Sequence, residues 1–389
     1  MLVRRVGVRH IELVEDAVQH AMLGALAAWE RGVPDEPTAW LYRVAYNKLV
    51  QDLRREQGRE QILKRAAEPG HAGEPDSAFF ADEIRDDLLR MLFVCCDDAI
   101  APESQLVLAL KTLCGFSTSE IALRLFTSEA NVHKRLARAR ERLRLGAPEL
   151  ETPALETLRT RVGGVHAVLY LLFNEGYLSA HPEHAIRHEL CDEAVRLTAL
   201  LAEHPVGAVP ESFALLALMH LHVSRLGSRI DAAGGLLLLE EQDRSRWDRE
   251  RMQIGMAWLQ RSASGDTFSR FHAEAAIAAE HCLAPSFGET RWHEIVDLYA
   301  LLERIHPSPL HTLNRAVAIA EWQGAAAGIA SIAELAPPAW LVGSYLWDAV
   351  LADLHRRAGH GELARQHRER AIESAPTDAV RVVLRRRLG

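Results

Sequence analysis

The stretch SEANVHKRLARARERLRL, residues 128–145, carries one Lys, five Arg and one His against two Glu. The whole chain of 389 residues has a formal net charge of −8. So much local positive charge in an acidic chain suits contact with a polyanion. On a helix, Val132, Leu136, Ala139 and Leu143 recur at i, i+4, i+7 and i+11 and form an apolar stripe. Asn131, Lys134, Arg135, Arg138 and Arg142 gather on roughly the opposite side. Phosphates reward the Lys and Arg, while Asn131 and the first residues of the helix could reach base edges in a major groove. A solvated amphipathic helix in a bundle satisfies the same pattern.

A second stretch, PTAWLYRVAYNKLVQDLRRE (37–56), places Trp40, Arg43, Asn47, Gln51 and Arg54 at i, i+3, i+7, i+11 and i+14. That face combines an aromatic, two cations and two amides. Such a set suits a strand with unstacked bases, because aromatics stack on bases while Arg and amides meet phosphates and edges. Trp40 taken alone reads more simply as a core residue.

Other constellations carry less chemistry. His184, His188 and Cys191 in HPEHAIRHELCDE (181–193) fall at i, i+4 and i+7, a helical spacing that could offer three zinc ligands. A helix with its Cys in the core and its His along a polar edge fits equally, and the expectation is no metal and no cofactor. YLLFNEGY (170–177) sets Glu175 in an apolar neighbourhood beside Asn174 and Tyr177, a grouping that usually ties helices together. No Gly-rich phosphate loop, nucleophile elbow or His-Glu-x-x-His motif is present, so the chain does not read as an enzyme.

The elements that hold these residues read as helices almost throughout. Ala, Leu, Glu and Arg dominate, and no run of alternating β-branched residues appears. Upstream of the basic helix, STSEIALRLF (117–126) opens with Ser117 and Glu120 at capping-box spacing, and Ile121, Ala122 and Leu125 give it an apolar face. Thr127 and Ser128 supply a short polar turn and an N-cap. Two short helices around a tight turn, the second basic outside, make a helix-turn-helix.

Composition sets the frame around these motifs. Hydrophobic residues make up 48% and charged residues 25% of a chain long enough for two or three cores. The longest apolar run, GGLLLL (234–239), is far too short to span a bilayer, and no export signal opens the chain. Five cysteines, Cys95, Cys96, Cys114, Cys191 and Cys282, suit a reducing cytoplasm, with Cys95 and Cys96 as buried small hydrophobes. Residues 1–146 hold 21 Lys+Arg and 22 Asp+Glu, whereas 147–389 hold 24 against 31, so the acidity lies mainly in the second part. Breaks are expected at 68–77, 146–153 and 203–212.

VEDAVQHAMLGALAAW followed by PTAWLYRVAYNKLVQDLRR resembles region 2 of an extracytoplasmic-function (ECF) sigma factor. LVLALKTLCGFSTSEIALRLFTSEANVHKRLARARERLR resembles region 4 of the same family. The remainder, with YLLFNEGY, LLLLEEQDRSRWD (236–248) and LNRAVAIAE (313–321), is similar to the subgroup with a long C-terminal extension of tetratricopeptide (TPR)-like helices. The resemblance implies an all-α chain. Region 2 would occupy 1–58, a flexible linker 59–80, region 4 81–146, and the helical extension 153–389.

It also implies partners: core RNA polymerase, through its β′ coiled coil and β flap, promoter DNA, and a regulatory protein or ligand on the extension. Glu15, Asp16 and Gln19 would dock on the β′ coiled coil. The helix with Arg43, Asn47, Arg54 and Arg55 would engage and melt the −10 element, and the basic helix would read the −35 element. The family's usual Asp falls at Gln51, beside Asp52, and Tyr46 stands where an Arg often precedes the Asn. Many members carry a further helix before EDAVQ, where this sequence has Met1 to His10, so region 2 is expected to lack its first helix. The competing reading is a TPR-type adaptor that binds DNA or protein without acting on polymerase.

Residues 345–378 match one TPR unit in spacing, with Gly359 at the turn, Ala364 and Ala371 at close contacts and Pro376 at the end. Asp348 and Arg368 stand where a Trp and an aromatic are usual. An α-solenoid-like array is the expectation, with a concave face for a partner.

Overall fold

The structure is a computed structural model that describes residues 2–6, 10–56, 86–146, 155–179, 185–231 and 235–388. Among them the chain is helical, with a single isolated bridge between Ile230 and Leu236. The expected linker, 59–80, lies outside these residues. Two compact units form: one from residues 1–121 and 129–165, the other from 122–128 and 166–389.

In the first unit, α1 (Leu2–Val6), α2 (Ile11–Ala28) and α3 (Pro37–Glu56) share one core. Ala17 and Ala21 lie one turn apart and, being small, let α2 approach Ala45, Leu49 and Leu53 of α3 closely. Next come α4 (Asp87–Cys95), α5 (Pro102–Thr112), α6 (Thr118–Arg124) and α7 (Glu129–Gly146). Asp86 caps α4 by accepting from the Leu89 amide at 2.9 Å, and Pro102 opens α5 where its missing N–H costs nothing. Phe93, Leu108, Leu110, Phe116 and Ile121 are fully buried. Cys95 and Cys96 are buried too, as small hydrophobes should be, and burial pushes the Cys96 thiol up to about 12.

The division between the units does not follow the composition break at 146–153. It falls inside α8 (Leu155–Tyr177), whose first half belongs to the first unit. There Arg161 pairs with Asp97 at 2.5 Å, and Thr160 donates to Asp98 at 2.7 Å. Composition marks where the chain is polar; it does not mark which helix half finds partners.

The second unit contains the rest of α8, then α9 (His188–Glu203), α10 (Pro210–Val223), α11 (Arg249–Ser262) and α12 (Arg270–Leu283). Helix α10 is apolar all round and buried from Ser212 to Leu221, so it packs on α9, α11 and α12 alike. Helix pairs continue through α13 (Trp292–Ile305), α14 (Pro309–Gln323), α15 (Ala325–Ser331), α16 (Ala339–Val342), α17 (Tyr345–Arg357), α18 (Gly361–Glu373) and α19 (Asp378–Arg387). The α17–α18 pair has the TPR outline: Gly359 turns with φ +79, Ala371 is buried and Ala364 half-buried. Asp348, in the usual Trp place, is buried on His367 at 2.7 Å and Arg370 at 3.0 Å. An ionic cluster thus fills the space of an aromatic ring.

Of the three residues at zinc-ligand spacing, His188 and Cys191 are among the described residues. Helix α9 begins at His188, and His184 lies outside the described residues. His188 is exposed, whereas Cys191 is buried against the Phe173 carbonyl at 3.7 Å. Burial raises its thiol to about 12.

Candidate nucleic-acid interface

Helix α6 starts on the expected capping box: the Ser117 amide donates to Glu120 Oε2 at 2.6 Å, and the Glu120 amide donates to Ser117 Oγ at 3.1 Å. Helix α7 buries Val132, Leu136, Ala139 and Leu143 against its own unit. That stripe fixes the rotation of α7 and turns Lys134, Arg138 and Arg142 outward. These three are exposed and make no hydrogen bond or ion pair with another described residue. Asn131 and Arg135 sit half-buried at the edge of the same face.

Arg140 behaves differently from these three. It turns to α2 and donates to Glu15, with Glu12 at 3.5 Å. Glu15, expected to face a partner, is therefore already engaged within the chain. Asp16 and Gln19 are exposed. Leu23 and Leu26, 68% and 73% exposed, continue their stripe at i+7 and i+10 from Asp16. Sequence alone did not signal these exposed leucines, because Leu at helical spacing occurs on buried and exposed faces alike.

On α3, Arg43, Asn47 and Gln51 are exposed along one face, while Lys48 pairs with Asp52 at 2.8 Å outside it. Trp40 is half-buried and meets Trp29 edge-on, ring centroids 5.6 Å apart. Arg54 and Arg55 lie in the last turn of α3, with side chains outside the described set.

The turn after α6 belongs to the second unit. Arg124 Nε donates to Glu175 Oε2 at 3.2 Å, and Arg124 Nη2 donates to the Leu178 carbonyl at 2.7 Å. Glu175 has no solvent exposure and also accepts from Ser179 at 2.6 Å. Phe126 takes φ +50, rare for an aromatic residue, and its ring lies 4.6 Å from that of Trp340. No periodicity in the sequence signals these pairings.

Three family descriptions match this chain. Sigma-70 region 2 covers residues 2–59, and Sigma-70, region 4 covers 93–143. A family of unknown function (DUF6596) covers 161–263. An uncharacterized protein of Rhizobium meliloti (strain 1021) is 36% identical over 386 residues, spanning 98% of this chain and 90% of the relative. The chain belongs to the ECF-type sigma factors with a C-terminal extension. No solved structure matches. As a sigma factor it serves transcription initiation without being an enzyme, with core RNA polymerase and promoter DNA as its partners. Among the described residues, no helix of this sigma factor is long and apolar enough to cross a membrane.

Proposed function

We propose that this sigma factor reads the −35 element with α7 and engages the −10 element with the exposed face of α3. The observation that carries the reading is the outward row of Lys134, Arg138 and Arg142, without an ion pair among the described residues and opposite a buried stripe. Unpaired surface cations on a fixed helix are what a phosphate backbone needs, since their neutralisation releases counterions. Arg43, Asn47 and Gln51 supply the polar contacts to a melted strand. Arg54 and Arg55 follow on the same helix and add charge beside it.

The α2 stripe of Asp16, Gln19, Leu23 and Leu26 is the docking surface for the β′ coiled coil. An apolar centre with polar neighbours is the usual composition of such a surface. The β flap would receive the region 4 helices, and the protein acts in the cytoplasm, where polymerase works.

The extension controls this activity through the α6–α7 turn. Support comes from the Arg124–Glu175 pair and the Phe126–Trp340 contact, which tie the turn to helices of the extension. Removing the extension after Gly146 would also remove the half of α8 that completes the first unit, so a point substitution tests control more cleanly. Glu175→Gln is expected to change promoter-dependent transcription by core polymerase at least severalfold. Unchanged transcription from a folded Glu175→Gln protein contradicts control through this turn. The adaptor reading would be favoured if core polymerase plus the intact chain initiated nowhere.

A further inference from the structure

The segment between α10 and α11 gathers three arginines that the promoter reading does not use. Arg225 is 7% exposed, and its Nη2 donates to the Tyr177 hydroxyl at 2.9 Å and contacts His222 Nδ1 at 2.8 Å. Arg229 is buried as well; it donates to the Tyr177 carbonyl and lies 3.7 Å over the Tyr177 ring. Arg244 donates to the carbonyls of His281 at 2.5 Å and Ala284 at 2.7 Å. Arg225 and Arg244 both approach the Trp247 ring, at 5.7 and 4.7 Å from its centroid.

Among the described residues none of these arginines pairs with a carboxylate, although the chain as a whole is acidic. Their acceptors are backbone carbonyls, a phenol and an imidazole. His222 and His281 add no compensating charge; burial first, and then the arginines, push both imidazoles down, His281 to about 3. Three buried donors remain without a partner: Arg225 Nε, Arg244 Nη2 and Trp247 Nε1, the last on a residue only 4% exposed. Buried cations with no anion and donors with no acceptor are both unfavourable, and one oxyanion resolves both.

We propose that Arg225, Arg229 and Arg244, with the Trp247 indole N–H, form a binding site for the phosphate group of a small ligand. A phosphate dianion offsets two of the three positive charges, where a carboxylate offsets one. Its oxygens also match the forked donors of guanidinium groups. Entry is from the Arg244–Arg246 turn, where Arg244 is half-buried between exposed Asp243 and Ser245. The site lies in the part of the chain that matches DUF6596, and LLLLEEQDRSRWD supplies Arg244 and Trp247. The inference does not depend on promoter recognition.

Thermal unfolding of the full chain tests it, with inorganic phosphate and adenosine monophosphate as probes against chloride at equal ionic strength. A saturable rise of about 2 °C is expected at tenfold above the dissociation constant. A larger rise with the nucleotide at equal concentration assigns the site to a phosphorylated metabolite; equal rises assign it to free phosphate. Arg225→Gln and Arg244→Gln should both abolish the rise, and the half-exposed position of Arg244 keeps that variant folded. No rise with either probe, a rise reproduced by chloride, or a rise that survives Arg244→Gln overturns the proposal.

Discussion

Arg124, the last residue of α6, holds its guanidinium on the carboxylate of Glu175, a side chain with no solvent exposure. Removing one member of a buried pair leaves the other charge stranded, which costs about 3–5 kcal/mol. Arg124→Ala should therefore destabilise the protein by about that amount in denaturant unfolding. Glu175→Gln leaves an acceptor in place and should cost only about 1–2 kcal/mol. Hydrogen exchange at residues 122–128 should rise in Arg124→Ala; unchanged protection there would mean that the pair does not hold the turn.

The Arg140–Glu15 pair makes a second prediction. Both side chains are about one-fifth exposed, so the pair is worth about 1 kcal/mol or less. If Glu15 serves polymerase docking, Arg140→Ala releases it and should tighten core polymerase binding by up to about fivefold. Equal affinity of wild type and Arg140→Ala in a fluorescence titration would remove Glu15 from the docking surface.

Gly176 sits where α8 meets α9. A Cβ there would lie 2.7 Å from the Cys191 amide nitrogen and 2.8 Å from the Arg187 carbonyl oxygen. These are backbone atoms and cannot swing aside, so Gly176→Ala should cost about 1–3 kcal/mol. Adding Cys191→Ala should not rescue it, because the obstructing backbone remains; full rescue in a melting experiment would contradict this packing.

His166 predicts the acid limb of stability. It is buried on Ser212 at 2.7 Å, and burial pushes its pKa from 6.5 down to about 4. Between those values the unfolded chain binds a proton that the folded chain refuses, so stability falls as pH falls. The loss reaches about 3 kcal/mol near pH 4 and stops growing below it. His166→Gln should remove its share of that slope, the other buried imidazoles keeping theirs; an unchanged slope from pH 6.5 to 4 would show that His166 is not held neutral.

Local patterns were legible in sequence, and long-range pairings were not. Ser117 and Glu120 form their capping box because both partners lie within one turn. The α7 stripe was legible because burial follows the helical period. Periodicity also allowed a core cysteine with a histidine on a polar edge, and Cys191 is buried while His188 is exposed. Glu175 was recognisable as a tie between helices, but not Arg124 as its partner, 51 residues away. Glu15 looked free for docking because nothing in its neighbourhood points to Arg140, 125 residues on. The exposure of Leu23 and Leu26 had no signal in sequence, for spacing records a face without saying which way it points.

Run-off transcription with core polymerase, on templates selected by this protein, tests the promoter-reading claim most directly. The wild-type chain should initiate at a defined start site, and Arg138→Glu should abolish −35-dependent initiation while core binding stays intact. Initiation by Arg138→Glu at the wild-type level, or loss of its core binding, would show that the exposed face of α7 does not read promoter DNA.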